Sequence, residues 1–262
     1  MTADLDVART VDMTRELADD CARAALARFG DVQTRTKADG SLVTEVDTQT
    51  ERRIRSVLTQ AYPTHCIFGE EDGAGGVADS PYMWLIDPID GTNNFIAGMP
   101  LWGVSIGLFF KGEPLLGALA MPCLQQVFWA AAGVGAYADD ERLSVRTGSA
   151  LQRNDLVMIS SPCIRAWDFE TDVKYRIMGS AAYAMTLVAA GVAIGMVNAH
   201  WHSWDAGAAF SLLREAGALA TDVTGKSLYN VLEWDYRGSG PCLVVASPEY
   251  HALLMEHIDP TA

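Results

Sequence analysis

Two aspartates stand three positions apart at the end of an apolar run, in "WLIDPIDGTNNF" (Trp84 to Phe95). Pro88 lies between Asp87 and Asp90. It fixes its own φ and offers no N–H, so the link between the two acids is stiff. Like charges held close raise each other's pKa unless a cation lies between them. With no Cys or His nearby, an all-oxygen site suits a hard divalent ion, Mg²⁺ above all. The same residues admit a second reading, in which Asp90 caps a short helix starting near Thr92 and Asp87 is a loop acid.

Further acids follow other apolar or helical cues. Glu70 and Glu71 lie in "GEEDG", just past a strand-like run, where an acidic loop is often only solvated. Asp205 opens a clear helix, a favoured place for a capping Asp. Thr44-x-x-Asp47 has the form of a capping box. Lys37 and Thr92 are candidates for phosphate chemistry. The backbone N–H groups of Gly91, Thr92 and Asn93 would face outward from a helix start, where an anion binds readily.

The elements that carry these residues read as follows. The first 29 residues form an amphipathic helix, with Val7, Val11, Ala18, Cys21, Ala25 and Phe29 near one stripe and Gly30 as its stop. "TKADGSLVTEVD" holds a turn at Asp39-Gly40 and leads into a second helix, whose Ile54, Val57, Leu58 and Ala61 share a face and which Pro63 ends. "HCIFGEEDGAGG" is a short strand running into an acidic, glycine-rich loop. "GVSIGLFF", "LLGALAMP", "QVFWAA" and "VGAYA" predict an antiparallel meander. "LVMISS", "KYRIM" and "CLVVAS" predict strands, and "SAAYAMTLVAA" and "WDAGAAFSLLREAG" predict helices. No linker or repeat divides the chain, so a single layered α+β or α/β domain is expected.

The chain has 262 residues and a formal net charge of −14. With no basic run, a nucleic-acid partner is disfavoured. The five cysteines are scattered without a disulfide framework, as in a reduced, cytoplasmic protein. The start, "MTADLDVART", carries acids where a secretory signal carries basic residues. The uncharged stretch Ile177 to Trp201 is interrupted by Gly191 and Gly195, and reads as a buried helix and strand rather than a membrane span.

Taken together, "GEE", "WLIDPIDGTNNF", "WDAGAAFSLLREAGALATDVTG" and "TKADGSLVTEVD" resemble the motifs of the inositol monophosphatase family, in order and over nearly the whole chain. The resemblance implies a layered α-β-α-β-α sandwich spanning 1–262, with a metal-binding half over about 1–148 and a second half over about 149–262. It implies hydrolysis of a phosphate monoester with two or three Mg²⁺ ions, inhibition by lithium, and a homodimer. It gives Glu70, Asp87, the Ile89 carbonyl, Asp90 and Asp205 as metal ligands. Glu70 and Thr92 would orient the attacking water, with Asp47 in support. Gly91 and Thr92 would hold the phosphate, and Gly179-Ser180-Ala181 matches a substrate-side turn.

Two departures bear on the substrate. Asn198 stands where relatives acting on inositol phosphate commonly carry a Glu, and the segment between "SSPCIRAWDFE" and "KYRIMGSAA" looks shorter than in typical relatives. His200 and His202 flank Trp201 near the same pocket, as ligand-facing or simply packed side chains. The expected substrate is a small phosphorylated metabolite, a cyclitol or polyol phosphate first. Histidinol phosphate is the alternative, with sugar bisphosphates and 3′-phosphonucleotides behind it, and a non-catalytic metal- or phosphate-binding regulator last.

Overall fold

The computed structural model describes residues 5–38, 40–166 and 172–258. Helix α1 (Val7–Leu26) opens on Asp6, whose side chain accepts from Arg9 N, and buries Val11, Leu17, Ala18, Cys21 and Ala25. It ends before Gly30, and Phe29 lies beyond its last turn. A hairpin of β1 (Thr34–Thr36) and β2 (Leu42–Thr44) follows. Of its expected turn, Gly40 has φ 88° and Asp39 lies outside the described residues. Helix α2 (Glu45–Ala61) begins with the expected capping box between Thr44 and Asp47. Its buried stripe departs from expectation. Ala61 is exposed and Val57 half-buried, while Asp47, Thr50 and Glu51 are buried beside Ile54 and Leu58. Glu51 is buried there because it meets the backbone of Glu71 and Asp72, and Asp47 because it bonds Thr44 and Thr92.

Strands β3 (Cys66–Gly69), β4 (Gly73–Gly76) and β5 (Tyr82–Asp90) precede the short helix α3 (Thr92–Ala97). The meander is β6 (Gly103–Phe110), β7 (Glu113–Met121), β8 (Gln126–Ala131) and β9 (Gly135–Ala138), closed by β10 (Glu141–Arg142). These strands form one sheet in the order β10-β9-β8-β7-β6-β5-β3-β4, antiparallel except for β3 with β5. The "GAGG" expected as loop is therefore an edge strand. Next come β11 (Leu156–Ile159), α4 (Cys163–Ala166), β12 (Lys174–Arg176), α5 (Ala181–Ala189), β13 (Gly195–Asn198), α6 (Ala206–Ala216), β14 (Leu219–Thr221), β15 (Leu243–Ala246) and α7 (Pro248–Met255). Their mixed sheet has the order β12-β11-β13-β15-β14.

The packing makes five layers. Trp84, Ile86, Val104 and Ile106 meet α1 and α2 on one face of the large sheet. Leu85, Phe109 and Leu119 meet Met185, Phe210 and Leu213 of α5 and α6 on the other. Leu243 and Val245 of the second sheet face the same helices, and Val244 and Val157 face Tyr250 and Leu254 of α7. The order is helix, sheet, helix, sheet, helix, as the resemblance implies. Helix α6 lies flush on the large sheet: a Cβ at Gly107 would come within 1.8 Å of the Gly207 carbonyl oxygen. Among the described residues, no helix is long and apolar enough to cross a membrane.

Candidate active site

Three residues of regular strand would carry Asp87 and Asp90 to opposite faces of the sheet. The structure avoids this with an irregularity in β5. Asp87 pairs with Ser105 and Asp90 with Gly103, so three steps on β5 match two on β6. The extra residue restores Asp90 to the face that Asp87 occupies. That face meets α6, since the Ser105 hydroxyl accepts from Ala208 N at 3.2 Å. Asp205 arrives immediately before the same helix. Carboxylate oxygens of Asp87, Asp90 and Asp205 lie within 4.8 Å of one another.

Neither aspartate flanking a helix acts as the local cap that the second reading required. Helix α3 starts after Gly91 with no side-chain cap. The Asp90 carboxylate instead accepts from Ala181 N at 2.9 Å, from Tyr183 N at 3.3 Å and from the Ser180 hydroxyl, so it caps α5 from the other half of the chain. Asp205 makes no cap bond to α6; its Oδ2 accepts from His202 N at 2.7 Å. Asp47 does cap α2, and its other oxygen accepts from the Thr92 hydroxyl at 3.1 Å. The same hydroxyl lies 3.0 Å from the Ile89 carbonyl oxygen.

These acids edge a cavity of about 600 Å³. Lys37, Glu70, Asp87, Ile89, Asp90, Gly91, Thr92 and Asn93 line one side. Gly179, Ser180, Ala181, Asn198 and the His200–His202 segment line the other. Every expected site residue but Asp47 borders the space, and Asp47 reaches it through Thr92. Gly91 has φ 91°, and a Cβ there would press on the carbonyls of Leu101 and Gly179 at 3.0 and 3.1 Å. Its freedom lets the first turn of α3, whose N–H groups have no intrahelical acceptors, meet the cavity wall. His202 stacks flat on Trp204 at 4.4 Å, with His200 edge-on to it at 5.2 Å, so both are packed as well as cavity-facing.

Burial, then the charges of Glu70, Asp90, Asp205 and Asp47, raises Asp87 well above the usual carboxylate range. Burial and the charges of Asp90 and Glu70 do the same to Asp205. Burial also raises Asp90, against the pull of Ser180 and the α5 amides, and Asp47, against Thr44 and Thr92. Glu70 is raised by burial although Lys37 opposes it, and Glu71 is pushed up to about 7 by burial. On Lys37, burial is outweighed by Glu70 and Glu71, 2.9 and 2.6 Å away, so its pKa rises. Among the described residues no Lys or Arg pairs with Asp87, Asp90 or Asp205. Buried, mutually repelling oxygens without a protein cation fit a hard divalent metal.

The model of the inositol monophosphatase family matches residues 6–261. The chain belongs to this family. It is 35% identical over 196 residues to the "Fructose-1,6-bisphosphatase/inositol-1-monophosphatase" of Aquifex aeolicus, covering 71% of this chain and 74% of that one. It is 33% identical over 244 residues to "Nus factor SuhB" of Pasteurella multocida, covering 89% and 88%. Among solved structures, the IMPase of Thermotoga maritima superposes with a TM-score of 0.83 at 26% identity, covering 95% and 96%. The protein is thus a phosphoric monoester hydrolase of the inositol monophosphatase family, a metal-dependent group, and it carries a buried acidic cluster.

Several residues at the site had no assigned role from sequence. Glu71 shares Lys37 with Glu70. Ser160, Ser161, Met178, Trp204 and Ser239 complete the far wall. Of these Glu71 had a signal in "GEE" and Trp204 in "WD"; the others come from segments whose approach depends on tertiary packing.

Proposed function

We propose that the protein hydrolyses a neutral polyol monophosphate, a cyclitol phosphate first, with Mg²⁺ held by Glu70, Asp87, the Ile89 carbonyl, Asp90 and Asp205. The carrying observation is the convergence of Asp87, Asp90 and Asp205 oxygens within 4.8 Å, beside the first turn of α3. Bound there, Mg²⁺ would supply Lewis acidity toward phosphoryl oxygens and a lowered pKa for water.

The remaining work belongs to the chain. N–H groups of Gly91 and Thr92 hold the phosphate and meet the charge that develops on its oxygens. The Thr92 hydroxyl proton is directed to Asp47 or the Ile89 carbonyl, which leaves its lone pairs to orient a water. Glu70 accepts a proton from that water as its oxygen bonds to phosphorus, the P–O ester bond breaks, and the departing alkoxide oxygen takes a proton from a second water. Lys37 holds Glu70 and Glu71 in place and offsets their charge.

The far wall favours the substrate class. Asn198 borders the cavity, and its Oδ1 already accepts from His200 N at 3.1 Å, so the proposal takes its NH₂ group as the donor offered to substrate. A donor there suits a hydroxyl oxygen and repels an ammonium group, which speaks against histidinol phosphate. Lys37 is the only Lys or Arg among the described cavity-lining residues, and it is engaged by two glutamates. A second phosphate would lack a cation, which favours monophosphates over bisphosphates. The test compares kcat/KM for inositol 1-phosphate, histidinol phosphate, fructose 1,6-bisphosphate and a 3′-phosphonucleotide, with Mg²⁺ and with chelator. Inositol 1-phosphate should lead and chelator should abolish release. Metal-independent turnover, or a lead for histidinol phosphate, would overturn the proposal.

A further inference from the structure

The segment carrying Glu70 and Glu71 is wrapped around a side chain that belongs to neither strand beside it. Glu51 of α2 is fully buried. Its Oε2 accepts from Glu71 N at 2.8 Å, and its Oε1 accepts from Asp72 N at 3.0 Å and from Arg55 Nε at 2.7 Å. Arg55, one turn on, donates its other arm to the Gly73 carbonyl. The pair therefore takes hold of three consecutive backbone units, Glu71 to Gly73, directly after Glu70.

The glycines of this hairpin are explained by the same contact. A Cβ at Gly69 would fall 2.3 Å from Glu51 Oε1, and one at Gly75 would fall 2.9 Å from Arg55. Only a bare backbone lets the carboxylate and the guanidinium lie against the hairpin. On its other side, Glu70 N donates to the Ile86 carbonyl of β5 at 3.2 Å, one residue before Asp87. The hairpin turn is thus fixed from two sides, by Glu51 and by the strand that bears the aspartates.

The structure assigns Glu51, with Arg55, as the positioning residue that sets the Glu70–Glu71 segment against the aspartate cluster. This rests on the proposed role of Glu70 in holding the metal. Glu51 itself does not border the cavity. A buried carboxylate taking two backbone N–H bonds and a guanidinium fixes a backbone path more firmly than a neutral turn would. Supporting groups of this kind commonly set metal affinity about 10–100-fold.

Glu51→Ala removes the acceptor. Gly69→Ala displaces the carboxylate without deleting a polar group, and the φ of Gly69 is not in the left-handed region. Both variants, where folded by circular dichroism, should need at least about tenfold more Mg²⁺ for half-maximal rate, with kcat lowered and KM for substrate little changed. Mn²⁺ binding without substrate, followed by electron paramagnetic resonance, should weaken in parallel. Glu51→Gln, which keeps one acceptor oxygen, should fall between wild type and Glu51→Ala. Rates reduced only in proportion to folded protein, with Mg²⁺ and Mn²⁺ titrations matching wild type, overturn the assignment. If the wild type hydrolyses none of the phosphate esters yet the variants lose Mn²⁺ affinity, the assignment stands and the proposed reaction falls.

Discussion

The two sides of the cavity are built on different principles. The acidic side comes from β3, β5, the start of α3 and the N-terminus of α6, and each acid is held by backbone or by another element. Asp90 is bound by α5, Asp205 by the His202 amide, Glu70's segment by Glu51, and Thr92 by Asp47. The far side is assembled from the ends of β11 and β13 and from connecting segments, with Asn198, His200, His202 and Ser239 facing the space. Chemistry needs fixed charges at fixed separations, whereas recognition of the substrate body can be altered one side chain at a time. Substitutions on the two sides should therefore differ in what they change, and not only in how much.

The largest effect is expected at Asp90. Asp90→Asn should lower kcat/KM by about 10²–10³-fold, the scale of losing one preorganised electrostatic contact, for every substrate alike. Selective loss for one substrate would erase the distinction between the two sides. Thr92→Val should cost about 10²-fold in kcat with KM nearly constant, because a water-orienting hydroxyl acts in the chemical step. A pure rise in KM would move Thr92 to the recognition side. Asn198→Asp should shift the ratio of kcat/KM for histidinol phosphate over inositol 1-phosphate upward by about tenfold, since it replaces a donor by an anion. Steady-state kinetics on the paired substrates reads this directly.

Two smaller effects concern the charges themselves. For a carboxyl group whose pKa is raised on folding, the unfolded chain releases its proton first as pH rises, so the folded state loses stability above the ordinary carboxylate range. Asp87, Asp205, Asp90 and Glu70 are all raised, and Glu71 reaches about 7. Thermal melts of chelator-treated protein should therefore fall in Tm from mildly acid to neutral pH, and added Mg²⁺ should flatten that slope. A metal-free protein whose Tm rises with pH would contradict the shared cation site. Lithium at millimolar concentration should inhibit turnover without changing the substrate ranking; insensitivity would mark the metal site as unlike the family's.

Much of the acidic side was legible in the sequence because its residues sit in contiguous words. "GEE", "DPIDGT" and "WD" name the acids, and the capping box at Thr44 is local. That Asp87 and Asp90 could face one point was expected from the stiff link at Pro88, but how a three-residue spacing achieves it was not legible. It depends on a strand irregularity that only the pairing with β6 reveals. Strand β4 was hidden because "GAGG" has only the methyl of Ala74 and so no pattern to alternate, and Glu51 because a buried acid on an amphipathic helix breaks the apolar pattern used to find the stripe. Its spacing of four from Asp47 was the available clue, since residues four apart share a helix face. The meander from Gly103 to Ala138 appeared where its apolar runs and turn signals predicted, with β6 buried on both faces, and helices α5 and α6 appeared where their apolar runs predicted.

The flush seating of α6 on the large sheet reaches further than packing. Asp205 lies more than a hundred residues from Asp87 in sequence, yet its height above the sheet is fixed by one backbone resting on another, at Gly107 and Gly207. The bond from Ala208 N to the Ser105 hydroxyl spans the same seam, and the touching backbones set a hard mechanical stop beside it. Even a single methyl group added at Gly107, which does not border the cavity, would work as a shim that lifts one jaw of the acid cluster away from the other.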